Sequence, residues 1–362
     1  MPKSLKLLVC AFLVLTGCTS SPPAWKNKKT PPATTVTTNI VQAPVAVLHT
    51  NQPPAPPTPP VVSLPVHTNE FPELWVAINR WTQVRNFAPA HRLALNDCIA
   101  YVVHTGNGTL ILQSESLIAY WDDVQLHLGY APQLIGGQLF VHRLDLIKNL
   151  EPLLHVPAVA RPERVIVIDP GHGGGNTGTR SVIDGSFEKQ YTLDWAERLA
   201  PLLEANGWQV YLTRTNDMDV TLPDRVAFAE AHHADLFVSL HFNSASPDDR
   251  EAGLETYCLT PTGMPSALTR EYPDDITQVF PNNSYDGESW SWALQLHRAL
   301  LRTSFYNDRG IRRARFMGVL RGQNRPALLI EGGYLSNPVE AKRIGDPAFR
   351  QHLAEALANA LK

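Results

Sequence analysis

The chain has 362 residues, 44% of them apolar, which is enough for a sizeable core in two domains or one large one. A formal net charge of -3 supplies no global basic field, so nucleic acid is not an expected partner.

In chain order, Lys3 and Lys6 precede an apolar run from Leu7 to Leu15 and then Thr16-Gly17-Cys18, the layout of a secretory signal peptide. The run is about half of the roughly 20 residues a membrane-spanning helix needs, so a permanent transmembrane anchor is the weaker reading. Leu15-Thr16-Gly17-Cys18 resembles the lipobox of bacterial lipoproteins. The resemblance implies a signal at 1–17, cleavage before Cys18 and a lipid on its sulfur. Thr19 stands where an inner-membrane retention signal usually shows Asp, which by the same resemblance favours a periplasmic protein anchored to the outer membrane. Without Cys10 and Cys18, two thiols remain, Cys98 and Cys258. Their neighbourhoods read as different domains, so neither a disulfide nor a thiolate zinc site is expected.

Residues 18–68 are rich in Pro, Thr, Val and Ala around the run Pro53-Pro54-Ala55-Pro56-Pro57-Thr58-Pro59-Pro60. This composition cannot bury a core, and its prolines keep it extended. It reads as a tether whose upper reach is on the order of 140 Å at polyproline II spacing. A lipid anchor and a long spacer suit a globular part that works on a cell-wall polymer.

Residues 69–158 read as a small α+β unit. Phe71 to Trp81 is a candidate helix, and Thr109 to Leu112 a strand. Ala119-Tyr120-Trp121 and Val124-Gln125-Leu126 are strands around an Asp122-Asp123 turn, and Gln138 to Val141 a strand followed by a helix from Leu144 to Leu150. The unit faintly resembles the module at copper amine oxidase N-termini and in bacterial wall-associated proteins, which implies a scaffold or wall contact. A spacer without a ligand is the alternative.

Residues 162–362 alternate strands and helices, which implies an α/β domain with a mostly parallel sheet and helices on both faces. Val165-Ile166-Val167-Ile168 is a β-branched run that stops at Asp169-Pro170-Gly171-His172-Gly173-Gly174 and reads as a buried strand with a histidine off its end. That edge is where open α/β sheets place their ligands. Ser186 can cap a helix with Leu193, Ala196, Ala200 and Leu203 on one face, ended by Asn206-Gly207. Trp208 to Leu212 is the next strand, and Thr221 with Asp224 marks a capping box. Leu236 to His241 is a further buried strand ending in histidine, Gly253 to Cys258 another strand, and Trp290 to Thr303 a helix. Ala327 to Gly333 is a strand carrying Glu331, and Asn337-Pro338 and Asp346-Pro347 each open a helix.

Three strands thus bring His172, His241 and Glu331 to one edge, and Glu188 in the first turn of a helix can point back to it. Two histidines and one carboxylate make the ligand set of a catalytic zinc site, with a second carboxylate left for the proton. Taken singly, Glu188 could complement a helix dipole, Glu331 could pair with an arginine and His241 could be a satisfied core histidine. All four at one edge favour a site. His232, His233 and His297 lack such company and read as solvent or packing residues.

The segments Asp169 to Gly174, Phe187-Glu188-Lys189, Thr213-Arg214 with Leu222 to Arg225, Val238 to Asn243, Gly253-Leu254-Glu255-Thr256-Tyr257 and Glu331 to Asn337 resemble the successive motifs of the zinc-dependent N-acetylmuramoyl-L-alanine amidases of the amidase_3 type. The resemblance implies zinc on His172, Glu188 and His241, Glu331 as catalytic acid and base, and peptidoglycan as partner. Asn176 and Thr179 depart from the usual Asp and Ala. Asn243 and the segment from Thr260 to Ser289 are placed to line a groove, and that segment lacks the helical periodicity of an occluding helix. A monomer is expected. A wall-binding lipoprotein without activity and a zinc peptidase acting within the stem peptide remain alternative readings.

Overall fold

The computed structural model describes residues 70–95, 98–159, 163–269, 274–304 and 306–362. The expected signal, the lipidated Cys18 and the tether to residue 68 lie outside the described residues. The strands are β1 (Trp75–Ala77), β2 (His91–Leu95), β3 (Cys98–His104), β4 (Thr109–Gln113), β5 (Ile118–Trp121), β6 (Val124–His127), β7 (Gln133–Ile135) and β8 (Gln138–His142) in the first region. In the second they are β9 (Arg164–Pro170), β10 (Trp208–Leu212), β11 (Leu236–Asn243), β12 (Leu254–Cys258), β13 (Asp308–Arg313) and β14 (Ala327–Tyr334).

An 11-stranded mixed sheet runs β10-β9-β11-β14-β12-β13-β6-β5-β4-β3-β2, and a small antiparallel sheet runs β1-β8-β7. Among the second region's strands only the β12–β14 pair is antiparallel. β9 shows why its apolar run is continuous. Ile166 and Ile168 enter one core cluster while Val165 and Val167 enter another on the opposite face, so both faces must be apolar. Helices Glu188–Ala205, Asp286–Ser304 and Pro347–Ala360 supply the first cluster, with Trp195 and Trp290 fully buried. Helix Leu222–Ala231 and the turn Gly318–Arg321 supply the second through Ala229, Val319 and Leu320.

Several local signals act as expected. Asn206 caps the end of the Glu188 helix and Gly207 follows at φ +84, where a side chain would be strained. Thr221, Asn337 and Asp346 cap the starts of their helices with side-chain oxygens. Others differ. The Glu188 helix is capped at Phe187, not Ser186: Phe187 holds the extended cap conformation and its amide donates to Gln190 Oε1 at 3.0 Å. The helix expected over Phe71 to Trp81 is split. Trp75–Ala77 pairs with β8, and the helix occupies Ile78–Val84, because Val76 is drawn into sheet packing.

The two regions share one sheet. Leu126 of β6 pairs with Ile311 of β13, and the Gln125 amide donates to Asp308 Oδ2 at 2.6 Å. The buried Arg313 guanidinium bridges them, donating to Asn149 Oδ1 at 2.8 Å, Lys148 O at 2.6 Å and Leu259 O at 3.0 Å. One hydrophobic cluster, including Trp121 and Trp290, runs through both. His297 is a packing residue at this join: fully buried, it pairs with Thr256 Oγ1 at 2.9 Å and Asp308 Oδ1 at 3.0 Å. Cys258 is buried and free.

Candidate metal centre

β9, β11 and β14 run parallel and deliver their C-terminal ends to one edge. Past Pro170 the chain turns at Gly171, and His172 takes the left-handed φ of +63 with Gly173 and Gly174 following at +132 and +56. Gly171 is required on steric grounds: a Cβ there would stand 2.3 Å from Cε1 of the His241 ring. The two imidazoles therefore meet edge to face, with centroids 4.8 Å apart.

His172 Nδ1 lies 2.9 Å from Asn176 Oδ1. With the amide oxygen as acceptor, Nδ1 donates to Asn176 and Nε2 is the ring nitrogen turned toward Glu188, the orienting role that outer hydrogen bonds play at metal sites. Asn176 thus supplies the acceptor that orients the ring. Nε2 lies 3.1 Å from Glu188 Oε2, and His241 Nδ1 lies 3.0 Å from Glu188 Oε1. The ligand atoms of His172, Glu188 and His241 all fall within 4.8 Å of one another. Glu188 is 4% exposed and accepts the backbone amides of Thr179 at 3.0 Å and Phe242 at 3.1 Å. The Thr179 bond uses main chain, so Thr in place of Ala does not alter it. Burial alone would raise the Glu188 carboxyl, but hydrogen bonds and charge from His172 and His241 outweigh it and hold it well below the usual range. His172 is shifted up: burial opposes its charge, and the bond to Glu188 overcomes that.

Glu331 is the β14 register partner of His241 on β11 and of Glu255 on β12. The residue is partly exposed, yet its Oε2 is shielded and has no hydrogen-bond partner among the described residues. Burial first, then the charges of Glu188 and Glu255, push its carboxyl well above the ordinary range. A carboxyl with raised proton affinity beside the ligand cluster is a candidate for proton transfer.

Asn243 has its side chain engaged within the protein, donating to Glu255 Oε2 at 2.8 Å and accepting the Ser244 amide at 2.7 Å. Glu255 is a component that sequence reasoning quoted in a motif without a role. It is 1% exposed, accepts from Tyr257 OH at 2.8 Å and Arg309 Nε at 2.7 Å, and lies 3.5 Å from Arg312. Burial opposes its ionisation, and the Arg312 and Arg309 charges hold it below the usual carboxylate range. A charged residue at a central strand position is the signal that could have marked it. The described part of the Thr260 to Ser289 segment has turns and a single 3-10 turn at Pro281–Tyr285 before the Asp286–Ser304 helix. Arg315 pins it through Pro261 O at 3.0 Å and Met264 O at 2.8 Å.

Residues 166–362, more than half of the chain, match the family model described as Amidase_3, N-acetylmuramoyl-L-alanine amidase. The N-acetylmuramoyl-L-alanine amidase AmiA of Escherichia coli (strain K12) is 30% identical over 217 residues, covering 54% of this chain and 74% of AmiA. The probable cell wall amidase LytH of Staphylococcus epidermidis (strain ATCC 12228) is 32% identical over 243 residues, covering 67% of this chain and 70% of LytH. Among solved structures, the catalytic domain of CwlV from Bacillus (Paenibacillus) polymyxa var. colistinus covers 54% of this chain and 95% of its own, with 30% identity and a TM-score of 0.45. His172, Glu188, His241 and Glu331 all fall inside the matched residues, and the chain belongs to the Amidase_3 family of N-acetylmuramoyl-L-alanine amidases.

Proposed function

We propose that this peptidoglycan amidase works with one zinc ion held by His172, Glu188 and His241 and with Glu331 as general acid and base. The bond cleaved joins the lactyl group of N-acetylmuramic acid to the L-alanine of the stem peptide. The observation that carries the reading is the convergence of two imidazole nitrogens and a carboxylate oxygen within 4.8 Å. A neutral imidazole Nε2 oriented by Asn176 and an ionised Glu188 are the donor forms zinc selects, and three protein ligands leave a position for water. When bound, zinc supplies a Lewis acid that activates a water nucleophile near neutral pH and polarises the amide carbonyl.

The chain's own residues do the rest. Glu331, unpartnered at Oε2, accepts the proton of the attacking water and returns it to the departing amine of L-alanine. Glu188, anchored by two backbone amides and both histidines, orients the rings instead of moving protons. The sequence supports a lipid on Cys18, a tether to residue 68 and a periplasmic position at the outer membrane, from which the catalytic region reaches the wall. Residues 69–158 serve as a scaffold or wall contact beside the catalytic region at 162–362.

The test is mass spectrometry of products from purified muropeptides. Free stem peptide with unsubstituted muramic acid is expected. A shortened peptide would identify a zinc peptidase instead, and no product a binding lipoprotein.

A further inference from the structure

We propose that Arg214, backed by Arg225, is the positioning residue that fixes the segment carrying His172 against the segment carrying Glu188. The inference rests on the metal reading above. Thr213-Arg214 and Leu222 to Arg225 stand out in the sequence as motifs to which neither metal binding nor proton transfer assigns a task.

His172 sits at φ +63, a conformation that a residue with a side chain keeps only when its surroundings enforce it. The enforcement comes from two guanidinium groups gripping three successive carbonyls. Arg214 Nε donates to Pro170 O at 3.0 Å and one of its terminal nitrogens to Gly171 O at 2.9 Å. Arg225 donates to Pro170 O at 3.0 Å and to His172 O at 2.7 Å. The same terminal nitrogen of Arg214 also donates to Lys189 O at 2.7 Å, one residue past Glu188, and lies 3.1 Å from Thr192 Oγ1. Thr192 closes the ring by donating to Gly171 O at 2.8 Å. One nitrogen thus ties the loop of one metal ligand to the first helical turn of another. Gly173 is pressed against this clamp, since a Cβ there would lie 3.0 Å from Arg214 Cδ.

A role in bulk stability explains this poorly. Arg214 and Arg225 are 2% and 4% exposed, and among the described residues Asp169 is the one carboxylate bonded to either, at 2.5 Å from Arg225. Burying charge in this way is often no better for stability than apolar packing of the same volume. What apolar packing cannot do is aim donors at carbonyls on two segments at once. A planar fork of fixed donors does this, and an ammonium does so incompletely.

The experiment titrates the metal-free full chain with zinc against a chelating dye and records the absorption spectrum of the cobalt-loaded protein. Arg214→Gln should bind zinc about 10- to 100-fold more weakly, the range for losing a supporting contact behind a ligand, and should alter the cobalt spectrum. Arg214→Lys should fall between, and it decides the matter alone if the Gln variant does not fold. Arg313→Gln, a buried arginine whose acceptors lie elsewhere, should melt earlier with zinc affinity unchanged. A folded Arg214 variant with wild-type affinity and spectrum overturns the inference, as does Arg313→Gln weakening zinc equally. A wild-type chain that binds neither metal would instead refute the metal reading itself.

Discussion

Glu255 and Glu331 face each other as register partners on the antiparallel strands β12 and β14, yet their surroundings differ sharply. Glu255 is satisfied by Asn243, Tyr257 and Arg309, whereas Glu331 Oε2 has no partner among the described residues. Two carboxyl groups pushed in opposite directions are a recurrent basis for assigning acid and base roles. In the proposed mechanism Glu255 is the fixed charge and Glu331 the group that exchanges a proton.

This pairing sets a pH prediction. The charge of Glu255 is one of the causes that raise Glu331, after burial and Glu188. Glu255→Gln removes that charge and leaves Arg309 with Glu251 as its remaining acidic partner among the described residues, so Glu331 should ionise at lower pH. The acid limb of the kcat profile should therefore move to lower pH. An acid limb that stays in place or moves up would contradict the assignment.

Replacing a ligand should act through the metal. His172→Ala or His241→Ala should lose zinc and turnover together, and chelation of the wild-type chain should abolish activity until zinc is restored. Elemental analysis beside an activity assay checks both. Full turnover in a zinc-free His241→Ala preparation would show that the triad is not the metal site.

The join between the regions carries a stability prediction. Burial first, then the Arg312 charge, lowers His127 from 6.5 to about 4, with its Nε2 3.0 Å from Arg309 O. For a histidine depressed in the folded state, the unfolded chain takes up the proton first. The stability this group contributes is present above pH 6.5 and is lost as pH falls toward 4. Melting temperature should drop over that window, and less steeply in His127→Gln. Equal slopes for the two proteins would rule out His127 as a cause.

The site was legible because each component ends or interrupts a strong local signal. His172 follows a β-branched run, His241 lies near the end of a mostly apolar strand and Glu331 interrupts another, so strand assignment alone brings them to one edge. The capping shift from Ser186 to Phe187 was not legible, since the bond that decides it comes from Gln190 three residues on. Nor was the shared sheet: it depends on a contact between Leu126 and Ile311, far apart in the chain, and no local pattern encodes it. β2 was missed because His91–Leu95 is an edge strand whose described side chains are exposed and lack alternation. Ile99 to Val103 in β3 did carry a β-branched and aromatic signal.

For location, the lipobox-like Leu15 to Cys18 predicts membrane fractionation that depends on Cys18. Cys18→Ser should release or stall the protein. A processed Cys18→Ser chain that still sediments with membranes would remove the lipid from the account.

The central claim separates metal from proton, and Glu331→Gln tests it most directly. The substitution is nearly isosteric but cannot accept a proton at neutral pH. Zinc content, melting temperature and turnover on muropeptide are measured on one preparation. The account predicts full zinc occupancy and an intact fold, with activity down by roughly 10² to 10⁴, the usual contribution of general acid-base catalysis. Were Glu331 a buried ion-pair partner, the loss would appear in stability, on the order of 3 to 5 kcal/mol. A stable, zinc-loaded and fully active Glu331→Gln chain would contradict the account.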